Sequence, residues 1–535
     1  MAWAESNERK RDPELTASYQ RWCPLPAGIS AGDVVDDATW RDLDLDAVSG
    51  QLDRTLTTAG ECVLHRLLRL PIGGTPELEA RRRAIAALDA DPAARQQILA
   101  ALRPAARRWD SGPDLLRLVW DKSPEPGPPA WYFTAMVLFA ILATLAAVGT
   151  LSLGWFLAAM GMFVANFATH TAVVRRSEGR LSAMRQLRAL LRAARGLQAA
   201  QHPEFRPARE PLDGALGTTR RIERRLGWML HNSRVASNDF AELFMDYLNQ
   251  LLLIEVQLYY SLLPLLRTQR AALQTVFETV GSFDAWQGLA AHRSAEPEWC
   301  EAEFGEAEPV LAITAARHPL LEEAVPNSLD LRSAGVVVTG SNMSGKTTFL
   351  RTVAVNALLA QTIGRCRAEH YRGQRLRIFS LLDQSDDLST GTSYYLAAAE
   401  RMRTLVQLAE EPATVLALVD EPLDGTNSAE RFAASQAILR YVAERSGRVL
   451  VTTHDLELAR LLESCGLFTS HHFSDYADAT GMHFDYTMHP GLAYHANAIA
   501  VLVMLGFPKA ITDAATAAAT AAAAAAPMSL TPRLH

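Results

Sequence analysis

Lysine is nearly absent from this chain of 535 residues: four lysines (Lys10, Lys122, Lys346 and Lys509) stand against 48 arginines. A composition so biased toward arginine keeps lysine where a compact point charge is needed that the planar guanidinium cannot copy. Lys346 sits in such a place. Cysteine is scarce too: the five (Cys23, Cys62, Cys300, Cys366, Cys465) are odd in number, scattered, and form no Cys-x-x-Cys. That argues against a disulfide framework or a zinc site and fits a reducing compartment. The net charge of −7 argues against a surface that coats nucleic acid, while leaving local patches open. Residues 1–33 carry mixed charges and no apolar run of signal-peptide length. The longest absence is of charge itself, since no Asp, Glu, Lys or Arg occurs in residues 126–174.

That interval is too long for one membrane helix of about 20 residues and about right for two. Residues 149–154 supply the turn, and Trp131, Tyr132 and Trp155 suit interfacial positions. The expectation is a two-helix transmembrane hairpin; the alternative is a helical hairpin buried in a soluble core. Residues 175–225 then hold 13 arginines against five acids. Arg185, Arg188, Arg192 and Arg195 recur at helical spacing, so a stripe from Arg175 to Arg195 reads as a cytoplasmic flank facing anionic membrane lipid. A DNA-backbone contact or a solvated face are the other readings. The apolar run 248–266 contains Glu255 and Gln257 and meets Pro264, which points to a packed core helix broken near the proline and not to a third span. Helical periodicity also fills residues 36–68 and 76–102.

The chemistry concentrates further on. Val336-Val337-Val338-Thr339 leads into Gly340-Ser341-Asn342-Met343-Ser344-Gly345-Lys346-Thr347-Thr348, followed by a helical pattern. This is strand, phosphate loop and helix in the order that nucleotide binding requires. The glycines let backbone N–H groups face phosphates, Lys346 reaches the β/γ-phosphates of ATP, and Thr347 suits Mg²⁺. An apolar strand at 415–419 ends in Asp420-Glu421. Asp420 suits Mg²⁺ coordination, and Glu421 suits the base that takes a proton from attacking water. The strand 448–453 ends at His454, at the sheet edge where ligands of open α/β sheets bind, and His454 is a candidate γ-phosphate sensor.

Together these segments resemble the MutS family of ATPases. The loop 339–348 with its Asn-Met pair, the segment Ser385-Asp386-Asp387-Leu388-Ser389-Thr390-Gly391-Thr392-Ser393, and Asp420-Glu421 with Gly425-Thr426-Asn427-Ser428 carry the likeness. So do Thr453-His454, Phe484-Asp485-Tyr486, Arg317-His318-Pro319 and, more weakly, Asp42-Leu43-Asp44 and Thr58-Ala59-Gly60. The resemblance implies a homodimer or heterodimer with two composite ATP sites, Ser393 reaching the partner's γ-phosphate, and Asn327 approaching the nucleotide base. It brings DNA, mismatched or branched, as a ligand to consider. No counterpart of the family's mismatch-reading or connector domains is expected ahead of residue 36, and Phe304-Gly305-Glu306 is expected to match the mismatch wedge by coincidence.

The expected fold is an α/β P-loop NTPase domain, ABC-like and of MutS type, preceded by a mostly α-helical lever or core with an inserted transmembrane hairpin. The boundaries read as lead-in 1–33, helical core 34–125, hairpin 126–174, helical lever 175–300, ATPase domain 301–513 and Ala-rich tail 514–535. The expected function is a dimeric ATPase with ATP and Mg²⁺, anchored at the cytoplasmic side of the cell membrane. An ABC-type transport ATPase and a nucleotide-gated scaffold without DNA are the alternatives. Against the first stands the lack of a Leu-Ser-Gly-Gly-Gln signature.

Overall fold

The computed structural model describes residues 19, 21, 23, 25, 29–106, 114–120, 128–176, 178–231, 251–296, 298–305, 310–341, 343–382, 394–423, 428–478, 481–492, 502–503 and 506–525. The chain divides into two compact units. One comprises Met1–Ala27, Ser49–Leu67 and Ala80–Glu296, the other Gly28–Val48, Leu68–Glu79 and Pro297–His535.

The first unit is helical. Its helix Glu178–Leu197 packs on Pro92–Leu102, Asp114–Trp120 and Arg206–His231. Leu187, Leu190, Leu191, Ala194 and Leu197 are buried while Arg185 and Arg192 face solvent, the two-sided pattern of a surface helix. Within the expected arginine stripe, Arg195 is paired with Glu223. Asp284, fully buried on the helix Arg270–Ala295, accepts from the backbone N–H groups of Leu56 and Thr57 and from the Thr57 hydroxyl. It thereby satisfies donors at the start of the helix Thr58–Arg69. A Cβ on Gly60 would lie 2.2 Å from its carboxylate, so that helix can approach only as glycine.

The charge-free interval forms the helices Ala130–Thr150 and Leu153–Arg176, joined at Leu151 and Ser152. Both are long and apolar enough to cross a membrane, and only 22% and 6% of their apolar windows are buried. The run near Pro264 departs from expectation. The helix Ile254–Thr268 continues through Pro264, and the backbone break lies at Leu253, whose φ is 49°. Proline removes the N–H that would bond the Tyr260 carbonyl. The neighbouring Ser261 carbonyl accepts from Arg225 at 2.6 Å, so an outside donor stabilises the weakened turn.

The second unit holds two sheets. Strands β1 (Cys300–Phe304), β2 (Leu311–Ala316), β3 (Asn327–Leu331), β5 (Arg365–Cys366) and β6 (His370–Gly373) form one, in the order β3-β2-β6-β1-β5. Strands β4 (Gly335–Thr339), β7 (Arg377–Leu381), β8 (Val415–Asp420), β9 (Gly447–Thr453), β10 (Phe468–Asp478) and β11 (Gly481–Pro490) form the other, in the order β11-β10-β4-β9-β8-β7. In this second sheet β10, β4, β9, β8 and β7 are all parallel, and β11 closes the edge antiparallel. Their cores are continuous apolar runs, as expected of strands buried on both faces. The helix Lys346–Ile363 touches strands of both sheets and is buried nearly all round, Thr352, Asn356, Gln361 and Thr362 included.

The N-terminal segment Gly28–Val48 belongs to this unit, and polar side chains hold it there. Asp36 pairs with Arg401 at 2.8 and 3.0 Å. Asp42 accepts from the Ser380 hydroxyl at 2.6 Å and from the Leu382 N–H at 3.0 Å, at the end of β7. Asp42→Ala leaves two buried donors without an acceptor and should cost about 2–4 kcal/mol, measured by urea denaturation, with Asp42→Asn losing less. A loss below about 0.5 kcal/mol would show that the contact does not hold the segment.

Candidate functional site

Register builds the site. Thr339 of β4 lies opposite Thr453 of β9, and Thr452 opposite Asp420 of β8, so three strands end level at one edge of the sheet. The chain leaves β4 through Gly340 at φ 145° and enters the helix through Gly345 at φ 100°, backbone conformations that favour glycine. Space demands it as well. A Cβ on Gly340 would sit 2.7 Å from the Ser344 hydroxyl, and one on Gly345 would sit 3.2 Å from the Tyr486 ring.

Lys346 opens the helix and folds back over the loop, donating to the carbonyls of Gly340 and Ser341 at 2.8 Å each. Burial pulls its ammonium below the ordinary value, and the carboxylates of Glu421, Asp420 and Asp475 oppose that pull. The Ser344 hydroxyl also donates to Ser341 O, at 2.8 Å. The Ser341 hydroxyl is buried with no hydrogen-bond partner among the described residues. Thr347, next on the helix, donates to Asp420 Oδ2 at 2.6 Å, and Thr452 donates to Oδ1. Thr348 and Met343 are exposed, Met343 to 74%. Asn342, Ser393 and the segments 385–392 and 425–427 lie outside the described residues.

One residue beyond Asp420 the backbone turns left-handed at Glu421, φ 46°, and again at Leu423, φ 57°. Such conformations cost a non-glycine residue about 1–2 kcal/mol each and persist only where surroundings impose them. Here the Glu421 carboxylate is held from three directions. It accepts from the Thr453 hydroxyl at 3.0 Å and the His454 N–H at 2.9 Å, and pairs with His454 Nδ1 at 2.8 Å. Ligand atoms of Glu421, His454 and Asp455 lie within 4.8 Å of one another, but this half-exposed cluster is already satisfied internally, Asp455 by Arg431.

A cavity of about 300 Å³ opens beside the helix start, lined by Lys346, Thr347, His318, Val325, Asn327 and Tyr486. Asn327 is committed to the chain: its Nδ2 donates to Tyr486 O at 2.9 Å and its Oδ1 accepts from Met488 N–H at 2.8 Å. It clasps β11 where Tyr486 adopts φ 52°. The sequence-predicted residues Gly340, Ser341, Met343, Ser344, Gly345, Lys346, Thr347 and Thr348 thus share one edge with Asp420, Glu421 and His454. Thr452, Thr453 and Tyr486 join them. Thr453 and Tyr486 lie in segments that carry the resemblance, whereas nothing local marks Thr452, whose place opposite Asp420 comes from strand register.

Residues 336–522 match the family model described as MutS domain V. Among curated proteins, the DNA mismatch repair protein MutS of Natronomonas pharaonis is 31% identical over 211 residues, 38% of this chain and 24% of its own. That of Thermus aquaticus is 32% identical over 255 residues, 46% of this chain and 30% of its own. That of Thermus thermophilus is 31% identical over 265 residues, 49% of this chain and 32% of its own. Over this part the chain is similar to MutS proteins. It spans between 24% and 32% of the length of these relatives. The MutS domain V match takes in the loop, Asp420, Glu421, His454 and the β10–β11 hairpin.

His318 lines the cavity, and burial, with the charges of Arg351 and Arg367, holds its imidazole down at about 4, against the weaker opposing pull of Asp44. Above about pH 6.5 the ring is neutral folded and unfolded, and it makes no difference to stability. As pH falls below that, the unfolded chain takes up the proton and the folded one does not, so stability is lost down to about pH 4, by at most about 3 kcal/mol. Wild-type melting temperature should therefore fall more steeply between pH 7 and 4.5 than that of His318→Gln. Parallel curves would show that His318 is not held neutral.

Proposed function

We propose that this chain is a membrane-tethered, MutS-like ATPase in which ATP binding and hydrolysis switch a homodimer. The observation that carries the reading is the 2.6 Å contact of Thr347 with Asp420 beside a loop lysine. A hydroxyl and a carboxylate oxygen converging at a helix N-terminus are an all-oxygen donor set, which fits Mg²⁺. The orphaned Ser341 hydroxyl and the helix N-terminus fit a bound phosphate. Bound Mg²⁺ would offset phosphate charge, held by Thr347 and Asp420.

The remaining roles follow from the residues themselves. Lys346 exchanges its two carbonyl partners for phosphate oxygens, with Gly340, Ser341, Asn342, Met343, Ser344, Gly345 and Thr348 shaping the loop around them. Glu421 takes the proton from the attacking water, and His454 holds that carboxylate in aim and answers the γ-phosphate. Asn327 fixes Tyr486 beside the cavity, where an aromatic face suits a nucleotide base. Ser393 completes the partner's site in trans, giving composite ATP sites between two P-loop domains. The relatives named above are mismatch repair proteins, and on that ground mismatched or branched DNA is the ligand assigned to the helical part.

The tether is the hairpin of Ala130–Thr150 and Leu153–Arg176. Leu138, Leu142, Leu145, Phe156, Leu157 and Val164 are each about half exposed or more, an apolar surface that water does not favour and acyl chains do. Trp131 stands exposed at the base and Trp155 near the tip, at interfacial levels. The helical parts on either side and the ATPase domain then share the cytoplasmic side, with the Arg175–Arg195 flank toward anionic lipid.

Lys346→Ala should weaken nucleotide binding, and Glu421→Gln should keep binding while lowering turnover about a hundredfold or more. Wild-type turnover in Glu421→Gln would remove the base assignment, and no turnover in wild type would favour the nucleotide-gated scaffold. Separately, the full chain should resist extraction from membranes by high salt and carbonate and yield to detergent; release by carbonate alone would sink the tether.

A further inference from the structure

Resting on the membrane reading above, we propose that residues 251–260 form a third membrane-embedded element, a re-entrant segment that dips among acyl chains against the hairpin without crossing. The segment's own geometry leads there. Its backbone breaks at Leu253, φ 49°, and the break frees carbonyls on its N-terminal side. Leu251 O is taken by Asn166 Nδ2 at 3.0 Å, and Leu252 O by Gln257 Nε2 at 2.7 Å. Asn166 is fully buried midway along the second hairpin helix. Gln257 also meets Thr134 of the first, at 3.0 Å. A break in water needs no such care. A break inside hydrocarbon does, because irregular backbone at that depth survives only where protein groups satisfy it.

Depth follows from helix rise. Asn166 lies about 20 Å from the tip at Leu151 and Ser152, so with the tip at the far boundary of a core about 30 Å thick it sits about 10 Å inside the near one. If the base of the hairpin stood outside the core, the part left over would be about 10 Å too short to span it. The surface of the segment agrees with that depth. Phe133, Val137, Leu253 and Val256 form one buried cluster, and Tyr260 stacks on Phe133 with ring centroids 4.9 Å apart. Leu252 packs against that cluster, and Leu251, Ile254 and Leu258 stay half-buried, apolar side chains available to acyl chains. Glu255 is the only charged residue in 248–266, which fits a dip and not a crossing. Arg267, exposed near the end of the same helix, is about 15 Å beyond Gln257, back at the near surface.

The test is carbene labelling of the full-length chain in its native membranes by a phospholipid with a photoactivatable acyl chain, with adducts mapped by peptide mass spectrometry. Adducts are expected on the hairpin helices and on 251–260, and none on the exposed face of Glu178–Leu197. Asn166→Leu should keep the hairpin adducts and lose those on 251–260, and if that variant fails to accumulate, the wild-type map decides alone. Adducts on the hairpin without any on 251–260 overturn the inference and leave the tether standing. No adducts anywhere overturn the tether and the inference together.

Discussion

The parallel register of β4, β9 and β8 is the constraint on which the candidate site depends. Thr339, Thr453, Thr452 and Asp420 come from three strands separated by long crossovers, yet they end level because each strand is locked to its neighbour by a fixed ladder. A slip of one residue would turn Asp420 into the neighbouring layer and separate it from Thr347, since side chains alternate with a period of two. The ladder also dictates where strain appears. The chain must leave β8 at Asp420 and still present Glu421 to Thr453 and His454, and the left-handed backbone at Glu421 and Leu423 results. The hydrogen bonds that β9 supplies to Glu421 offset that strain, so the acid and the strand end that aims it are one device.

The helix Lys346–Ile363 carries this edge into the rest of its unit. Apolar contact with strands of both sheets leaves it no freedom to roll, so Lys346 and Thr347 at its first turn are placed by packing far from the loop. Burying an ammonium at the head of such a helix is costly without partners. Gly340 O and Ser341 O supply them here, with three carboxylates near enough to favour the charge. The loop therefore holds a lysine already desolvated, and exchanging its carbonyl partners for an anion requires little further loss of water.

Much of this edge was legible in the sequence. The strands expected at 415–419 and 448–453 appear as Val415–Asp420 and Gly447–Thr453, because β-branched apolar runs between turn residues have few other uses. The loop and the acids carry their chemistry in residue type and order. The five-stranded sheet was not legible: β5 is Arg365–Cys366 alone, and β1 and β3 alternate exposure within short runs. Asp42 reads as part of a helical block, and only the long-range bonds to Ser380 and Leu382 bring it to β7. Asn327 reads as a ligand contact but spends both ends of its amide on the backbone of β11. Pro264 reads as a break. The break falls instead at Leu253, where side chains of other helices are available to complete it. In each case the deciding partner lies far along the chain, beyond the reach of periodicity.

The polar residues of the hairpin show how it is joined to the unit it interrupts. Along Ala130–Thr150 and Leu153–Arg176 the hydroxyls of Thr144, Thr150 and Thr171 turn back onto their own helix at 2.7, 2.6 and 2.9 Å, which satisfies them without a partner from outside the helix. Asn166 reaches out to Leu251, and Thr134, besides turning back to Ala130 O, reaches Gln257. Both lie on the side of the hairpin away from its tip. In a low-dielectric surrounding, where water does not compete, such bonds are harder to exchange than the same bonds at a wet surface. Together with the Phe133, Val137 and Val256 cluster they make the base of the hairpin continuous with the unit it interrupts. A tether hinged only at its two chain connections would let the helical unit turn freely over the membrane. On the tether proposed above, fastening by buried side chains would tie the orientation of that unit to the bilayer.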